Sequence, residues 1–419
     1  MSDTLNLYEI CKMHKFKERN KKREIGILLV LGTLIALGPF SIDMYLPAFE
    51  SIAQDFSISK SDVGFSLTSY FIGIALGQLL YGPIMDKFGR KTPLLVGIVL
   101  YIIASIACFY SPNLWWLVAA RFFQAIGASA GMVASKAVVR DVFPPEEVSR
   151  ALSFLMLIMG GAPIIAPTVG SLLVTYYSWQ VIFISLAGLA TLMFISVINF
   201  LPESIIPDKS VNLRTSKVIK NYVGILKNKI FLFFSFAGSL TVGAMFGYIS
   251  SAPIIFMDIY DLSETEFGWL FGMNAAGLIF GSQLNRFVLK RYSTFRTTYS
   301  IAYILVGLAI LFLLNSLWSG NFYITIILLF GMLFLLGFQN PNTTALSLYP
   351  FTRRAGRASA LIGSMKMLFG AITSYLISEF TNISLVPLAL TFLISLGLSL
   401  GFLIWFRTKE KRSVVFIGR

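Results

Sequence analysis

The sequence predicts an all-α polytopic membrane protein with twelve transmembrane helices in two pseudo-symmetric six-helix halves. Three observations carry this prediction. The 419 residues are 56% hydrophobic and only 13% charged, roughly half the charge of a soluble domain. Apolar runs of about 20 residues, the length that crosses a bilayer core as a helix, recur from end to end. The longest internal polar stretch, "PESIIPDKSVNLRTSKVIKNYVGILKN" at 202–228, falls midway and leaves six runs on each side.

In chain order, a basic tail at 1–24 leads into the first half, 25–201, with spans at 25–47, 64–84, 93–110, 114–137, 151–175 and 179–201. The linker 202–228 follows. The second half, 229–406, has spans at 229–257, 265–285, 297–316, 321–347, 357–378 and 384–406, and a second basic tail closes the chain at 407–419. The halves share a trace of sequence: "GPIMDKF" at 82–88 and "GSQLNRF" at 281–287 both follow the second span of their half. Paired six-helix halves with a substrate site between them near mid-membrane are a known plan for secondary transporters.

Charge placement fixes the expected topology. All of the 34 Lys and Arg except Lys60, Arg121 and Lys366 fall in or beside the tails and the even-numbered loops. The positive-inside rule therefore puts both termini in the cytoplasm. The net charge of +14 is then explained by topology and lipid headgroups, with no nucleic-acid partner. The charged first 24 residues run straight into a long span, which predicts no cleavable signal peptide. Cys11 and Cys108 are too few for a disulfide framework, and a single histidine, His14, excludes a multi-His metal site.

Three ionisable residues lie inside the spans, and each is a functional candidate. Asp43, in "GPFSIDMYLPAF", is the one acid well inside a helix; an acid at a helix centre costs about 2.5–3.5 kcal/mol on insertion scales. Counted from the expected outer end of the first span it sits about 6 Å deep, and Arg121 about 10 Å deep in the fourth. Both belong to the outer half, so an Asp43–Arg121 interaction is geometrically open. The cation would favour the carboxylate and burial the neutral acid. Lys366 sits about 13 Å from the inner surface, where it would either meet an anionic ligand or snorkel inward. "MGGAPIIAPTVGSLL" packs Gly160, Gly161, Pro163, Pro167 and Gly170 into the fifth span, suited to close helix packing and bending. "GFQNPNTTALSL" puts Gln339 and Asn342 in the tenth, where amides must face protein or a cavity.

Together these residues resemble the major facilitator superfamily, and within it the Bcr/CflA group of bacterial drug-resistance transporters. The resemblance covers about Ile25 to Phe406. "GPIMDKFGRK" (82–91) resembles the superfamily's motif A, "RFFQAIGASAG" (121–131) motif B, and the Gly/Pro fifth span the motif C associated with antiporters. "SIDMYLPAF" (41–49) and "VVRDVFPPEEVSRALS" (138–153) resemble Bcr/CflA signatures. The resemblance implies proton-driven efflux of small, largely apolar drugs or xenobiotics across the bacterial inner membrane, with no cofactor, by a monomer. It assigns proton coupling to Asp43 with Arg121. Tyr45, Gln124, Asn274, Gln339, Asn342 and Lys366 are the expected substrate cavity. Gly82, Asp86, Gly89, Arg90 and Lys91 become the cytoplasmic gate, with Arg140 as partner of Asp86. Two departures stand out: motif C reads Gly161-Ala162-Pro163 with a second proline at 167, and Lys366 occupies a place where a neutral Gln is expected. A second reading is a transporter of the same fold for a dedicated metabolite or siderophore, anionic or inward-moving. A non-transporting receptor would release no protons on binding ligand, and no nucleophile–base pair supports an enzyme.

Overall fold

The computed structural model describes residues 21–208, 211, 213–351, 355–379 and 384–409, so most of both basic tails lies outside the described residues. Those described are mostly helical, the helices joined by short turns except for the irregular stretch between Phe200 and Thr215. Helix α1 (Lys21–Asp43) gives way to a 3-10 turn at Leu46–Ala48 and then to α2 (Phe49–Phe56). The rest of the first half is α3 (Lys60–Phe88), α4 (Lys91–Phe109), α5 (Leu114–Val142), α6 (Pro145–Tyr176) and α7 (Gln180–Phe200). The linker folds into one amphipathic helix, α8 (Thr215–Leu226). The second half is α9 (Lys229–Pro253) with a π-helical turn at Ile254–Ile259, then α10 (Glu264–Val288), α11 (Thr294–Trp318), α12 (Phe322–Leu348), α13 (Ala355–Glu379) and α14 (Val386–Lys409).

Local chemistry sets these ends. Capping boxes at Ser59/Asp62 and Ser263/Glu266 start α3 and α10, each satisfying two backbone donors that a helix end leaves open. Asn113, Asn228, Ser293 and Asn321 cap α5, α9, α11 and α12 through their side-chain oxygens. Eleven segments among the described residues are long and apolar enough to cross a membrane; α10, richer in Gly and amides, is a twelfth long helix packed among them. Tyr110, Trp115, Trp116, Tyr176, Tyr177, Trp318 and Tyr323 stand exposed at one end of the bundle, as aromatic side chains do at a membrane boundary.

In the first half α5 packs on α3 and α4, and α1 on α6; in the second α9 packs on α13 and α14, and α10 on α12. The halves meet along α3 against α13 and α6 against α10. Small residues allow the second contact: the carbonyl of Ile164 lies 3.2 Å from where a Cβ on Gly272 would sit, and Ile279 3.3 Å from one on Gly160. Gly161 has no such neighbour, and α6 runs unbroken through Pro163 and Pro167.

The repeated glycines of "GPIMDKF" and "GSQLNRF" serve different ends. A Cβ on Gly281 would overlap the carbonyl of Phe334 in α12, whereas one on Gly82 would find only the Tyr222 hydroxyl, 3.8 Å away. Gly281→Ala is therefore expected to cost about 1–3 kcal/mol of overpacking and lower the thermal unfolding midpoint in detergent. Gly82→Ala should leave it in place. Equal midpoints for the two variants would contradict this packing.

Candidate functional site

Asp43 sits where the first membrane segment breaks. Met44 N–H still donates to Phe40 (3.1 Å) and Tyr45 N–H to Ile42 (3.3 Å), and the chain then turns through Pro47, which needs no donor partner there. Because helical structure resumes and runs to Phe56, the segment ends there rather than near Pro47. Asp43 lies inside the bundle, seven residues before Glu50, which reaches the closed face. Its side chain is buried and makes no hydrogen bond or ion pair among the described residues. It is close enough to interact electrostatically with Tyr70 on α3 and with Tyr248 on α9, in the other half. Gly170 of α6 lets the Met44 backbone approach where any side chain would collide.

Across this seam the groups are aromatic. Phe71 meets Phe246 of the other half at 4.4 Å between ring centroids. Tyr248 stacks on Phe271 (5.8 Å, 9° between planes) and accepts a hydrogen bond from Asn274 Nδ2 at 2.9 Å. Asn274 Oδ1 is buried without a hydrogen-bond partner among the described residues. A lone carboxyl among aromatic faces suits an apolar ligand with one or two polar contacts.

Arg121 does not pair with Asp43. It is fully buried in an aromatic cage, its guanidinium 4.1 Å from the ring centre of Tyr70, 4.7 Å from Tyr45 and 5.8 Å from Phe183. Nη1 donates to Gln124 Oε1 (2.6 Å), Gln124 Nε2 donates to Ser105 (2.8 Å), and Nε and Nη2 have no hydrogen-bond partner among the described residues. A planar, weakly hydrated cation is stabilised by ring faces, which explains why the aromatic cage replaces the expected carboxylate. Tyr45, hydrogen-bonded to Ser66 (2.8 Å), and Gln124 are fully buried inside the first half, not open to a cavity.

The amides of α12 divide. Asn342 and Asn285 of α10 exchange two hydrogen bonds (2.8 and 3.1 Å), so Asn342 fastens helices together. Gln339 is buried, and neither of its amide atoms has a hydrogen-bond partner among the described residues. Lys366 donates from α13 to Asn340 and to Thr344 (2.7 Å) on α12.

At the end of the bundle where α3 stops and α4 begins, motif A is held within its own half. Arg90 pairs with Asp86 (2.8 Å) and with Asp141 at the end of α5 (3.0 Å), and Ser204 also donates to Asp141 (3.0 Å). Burial works against the Arg90 charge, but Asp141 and Asp86 outweigh it and raise its pKa above the ordinary arginine value. Gly89 turns at φ +89°, a conformation that side chains rarely adopt. The Glu203 carboxylate fills the space beside Gly89 and accepts from the backbone N–H of Arg90 (2.6 Å) and Lys91 (3.0 Å), capping α4. Lys91 Nζ donates to Ile198. Arg140 is exposed and does not pair with Asp86, because Arg90, one helical turn away, already occupies it. A cavity of about 150 Å³ opens here between α3, α5 and α13, lined by Gly82, Asp86, Arg90, Lys136, Arg140 and Arg357 among others. Asp86→Asn should slow transport while leaving equilibrium ligand affinity within about threefold, since Asp86 is far from the seam and acts on a moving element. Lost affinity with unchanged turnover at saturation would place it in the site instead.

The opposite face is closed. Lys60 bridges Glu50 of its own half and Asp258 of the other. Thr68 donates to Ser374 (2.9 Å) and Thr175 to Glu264 (3.3 Å), both across the halves. Asp258, Glu203, Tyr248 and Lys136 escaped the reading of the sequence. For Asp258 a signal was present: Lys60 is the lone base in the odd-numbered loops.

Two six-helix halves, closed on one face and opening to a cavity on the other, around a seam with a buried acid, define a secondary membrane transporter. The chain belongs to the Major Facilitator Superfamily, whose family model matches residues 29–374, and to its Bcr/CflA-type group. It is 33% identical to the bicyclomycin resistance protein homolog of Haemophilus influenzae, over 88% of this chain and 93% of that one. It is 36% identical to the uncharacterized MFS-type transporter YdgK of Bacillus subtilis (85% and 89%) and 25% to multidrug resistance protein D of Escherichia coli (83% and 86%). Among solved structures a D-xylose-proton symporter superposes with a TM-score of 0.68 at 15% identity, over 90% of this chain and 97% of that one, a likeness of fold.

Proposed function

We propose that this transporter is a proton-coupled antiporter that exports small, largely apolar drugs or xenobiotics across the bacterial cytoplasmic membrane by alternating access. The basic end of the bundle and both termini face the cytoplasm, lipid headgroups meet the basic loops, and a monomer working without a cofactor draws on the proton gradient alone. The observation that carries the reading is Asp43: buried, without hydrogen bond or ion pair among the described residues, at a break in its helix and facing both halves. A carboxylate held out of water without a counter-charge is costly. Taking up a proton removes that cost, and opening to water on the other face allows its release. Resistance-named relatives at 25–33% identity support drugs as cargo.

The test is export from proteoliposomes of known orientation. Substrate should move uphill only while a pH gradient is imposed, and a protonophore should abolish the movement. Accumulation that ignores the gradient would end the proposal.

A further inference from the structure

Outside the seam, one group of charges is left without a task. Beside Arg90, three cations line the cavity of the basic face from both halves, Lys136 and Arg140 on α5 and Arg357 on α13, and Lys366 follows further along α13. The two acids in that wall, Asp86 and Asp141, are both committed to Arg90. Lys136 is half-buried, lines the cavity and makes no hydrogen bond or ion pair among the described residues. Lys366 lies deeper along α13, one turn beyond Gly363, which packs on the cavity residue Gln78. It is near enough to Lys136 for the two ammonium groups to repel each other. Asn340 and Thr344 anchor the Lys366 ammonium, and a third N–H remains free.

A cationic wall shared by opposite halves, with both of its acids already taken by Arg90, lacks one component: an anion between the ammonium groups. We infer that Lys136 and Lys366 form a binding site for the anionic group, a carboxylate or similar monoanion, of a substrate whose apolar body extends toward the aromatic seam. A bound anion attracts both ammonium groups and removes their mutual repulsion, which also favours approach of the halves at this face. Asn340 and Thr344 keep Lys366 from swinging to the lipid surface. The inference rests on the transport reading above, for it names a substrate class for the same cavity.

The probe pair is 4-phenylbutyrate and its amide, equal in size and differing by one charge. Binding to the full-length protein in detergent is followed by titration calorimetry. Wild type should bind the carboxylate at least about tenfold more tightly than the amide, or about 1.4 kcal/mol. Lys136→Gln and Lys366→Gln should each remove most of that preference and leave the amide unchanged. Lys366→Arg, which keeps the charge, should retain it, so that a loss in the glutamine variant reports charge and not fold. Equal binding of the two probes, no carboxylate binding at millimolar concentration, or equal weakening of both probes by a lysine substitution would overturn the inference. The same preparations, reconstituted, are assayed for uphill export of a neutral dye. No charge preference with intact export removes this site alone; charge preference without proton-driven export removes the antiport reading alone.

Discussion

Asp43→Asn should abolish uphill, proton-driven export while the protein still folds and still binds ligand. Asparagine has nearly the same shape and, like the protonated acid, carries no charge, so the buried site tolerates it sterically. What it cannot do is exchange a proton. Because the Asp43 side chain makes no hydrogen bond among the described residues, the substitution breaks no network, and the variant should fold. Arg121 serves as the control: caged by Tyr45, Tyr70 and Phe183, it stabilises the first half, and Arg121→Ala should lower the unfolding temperature. The measurement is substrate movement in proteoliposomes under an imposed pH gradient. An Asp43→Asn variant that still concentrates substrate with the wild-type dependence on pH would make Asp43 a structural residue.

The second large effect belongs to Lys60. One ammonium holds Glu50 of its own half and Asp258 of the other, so Lys60→Ala both releases the halves and leaves two acids to repel across the gap. A single exposed ion pair contributes about 0.2–1 kcal/mol. With two carboxylates on one partly buried cation, the closed face should lose about 1.4 kcal/mol, a tenfold shift toward opening. Alkylation of a cysteine placed at Ser374, beneath this bridge, should accelerate about tenfold in the Lys60→Ala background, the same shift expressed as a rate. Adding Asp258→Asn should recover part of the loss, since the repulsion is then gone. Unchanged alkylation would mean that other contacts between the halves, such as Thr175 with Glu264, close this face without the bridge.

The two halves were legible in the sequence because span after span of apolar residues needs only length and composition to be recognised. Helix ends were less so: α3, α5 and α6 run to 29, 29 and 32 residues, beyond the apolar core into polar turns that read as loop. Lys136 was hidden this way, assigned to a span end when it lies well inside α5. Pro47 looks like the end of the first span by composition, yet in the fold it only interrupts a segment that runs to Phe56. Charge counting found Arg121 but paired it with the one acid in reach, because ring faces carry no formal charge to count. Asp86 was matched with Arg140, while Arg90, four residues on and turned back by Gly89, stood nearer. Pairing across the bundle is a property of packing, and one sequence without relatives does not encode it visibly.

The two repeats fasten their inner ends with different kinds of bond. In the first half the clasp is ionic, Asp86–Arg90–Asp141, and its carboxylates line an open cavity. In the second it is neutral and buried, the reciprocal amides of Asn285 and Asn342. Dissolved ions weaken interactions between solvent-reaching charges, with a Debye length of about 8 Å at physiological ionic strength, and do little to a buried pair of amides. Salt on this face therefore acts on one half of the protein and spares the other. The transporter thus has one side whose stiffness varies with ionic strength and one side that serves as its fixed frame.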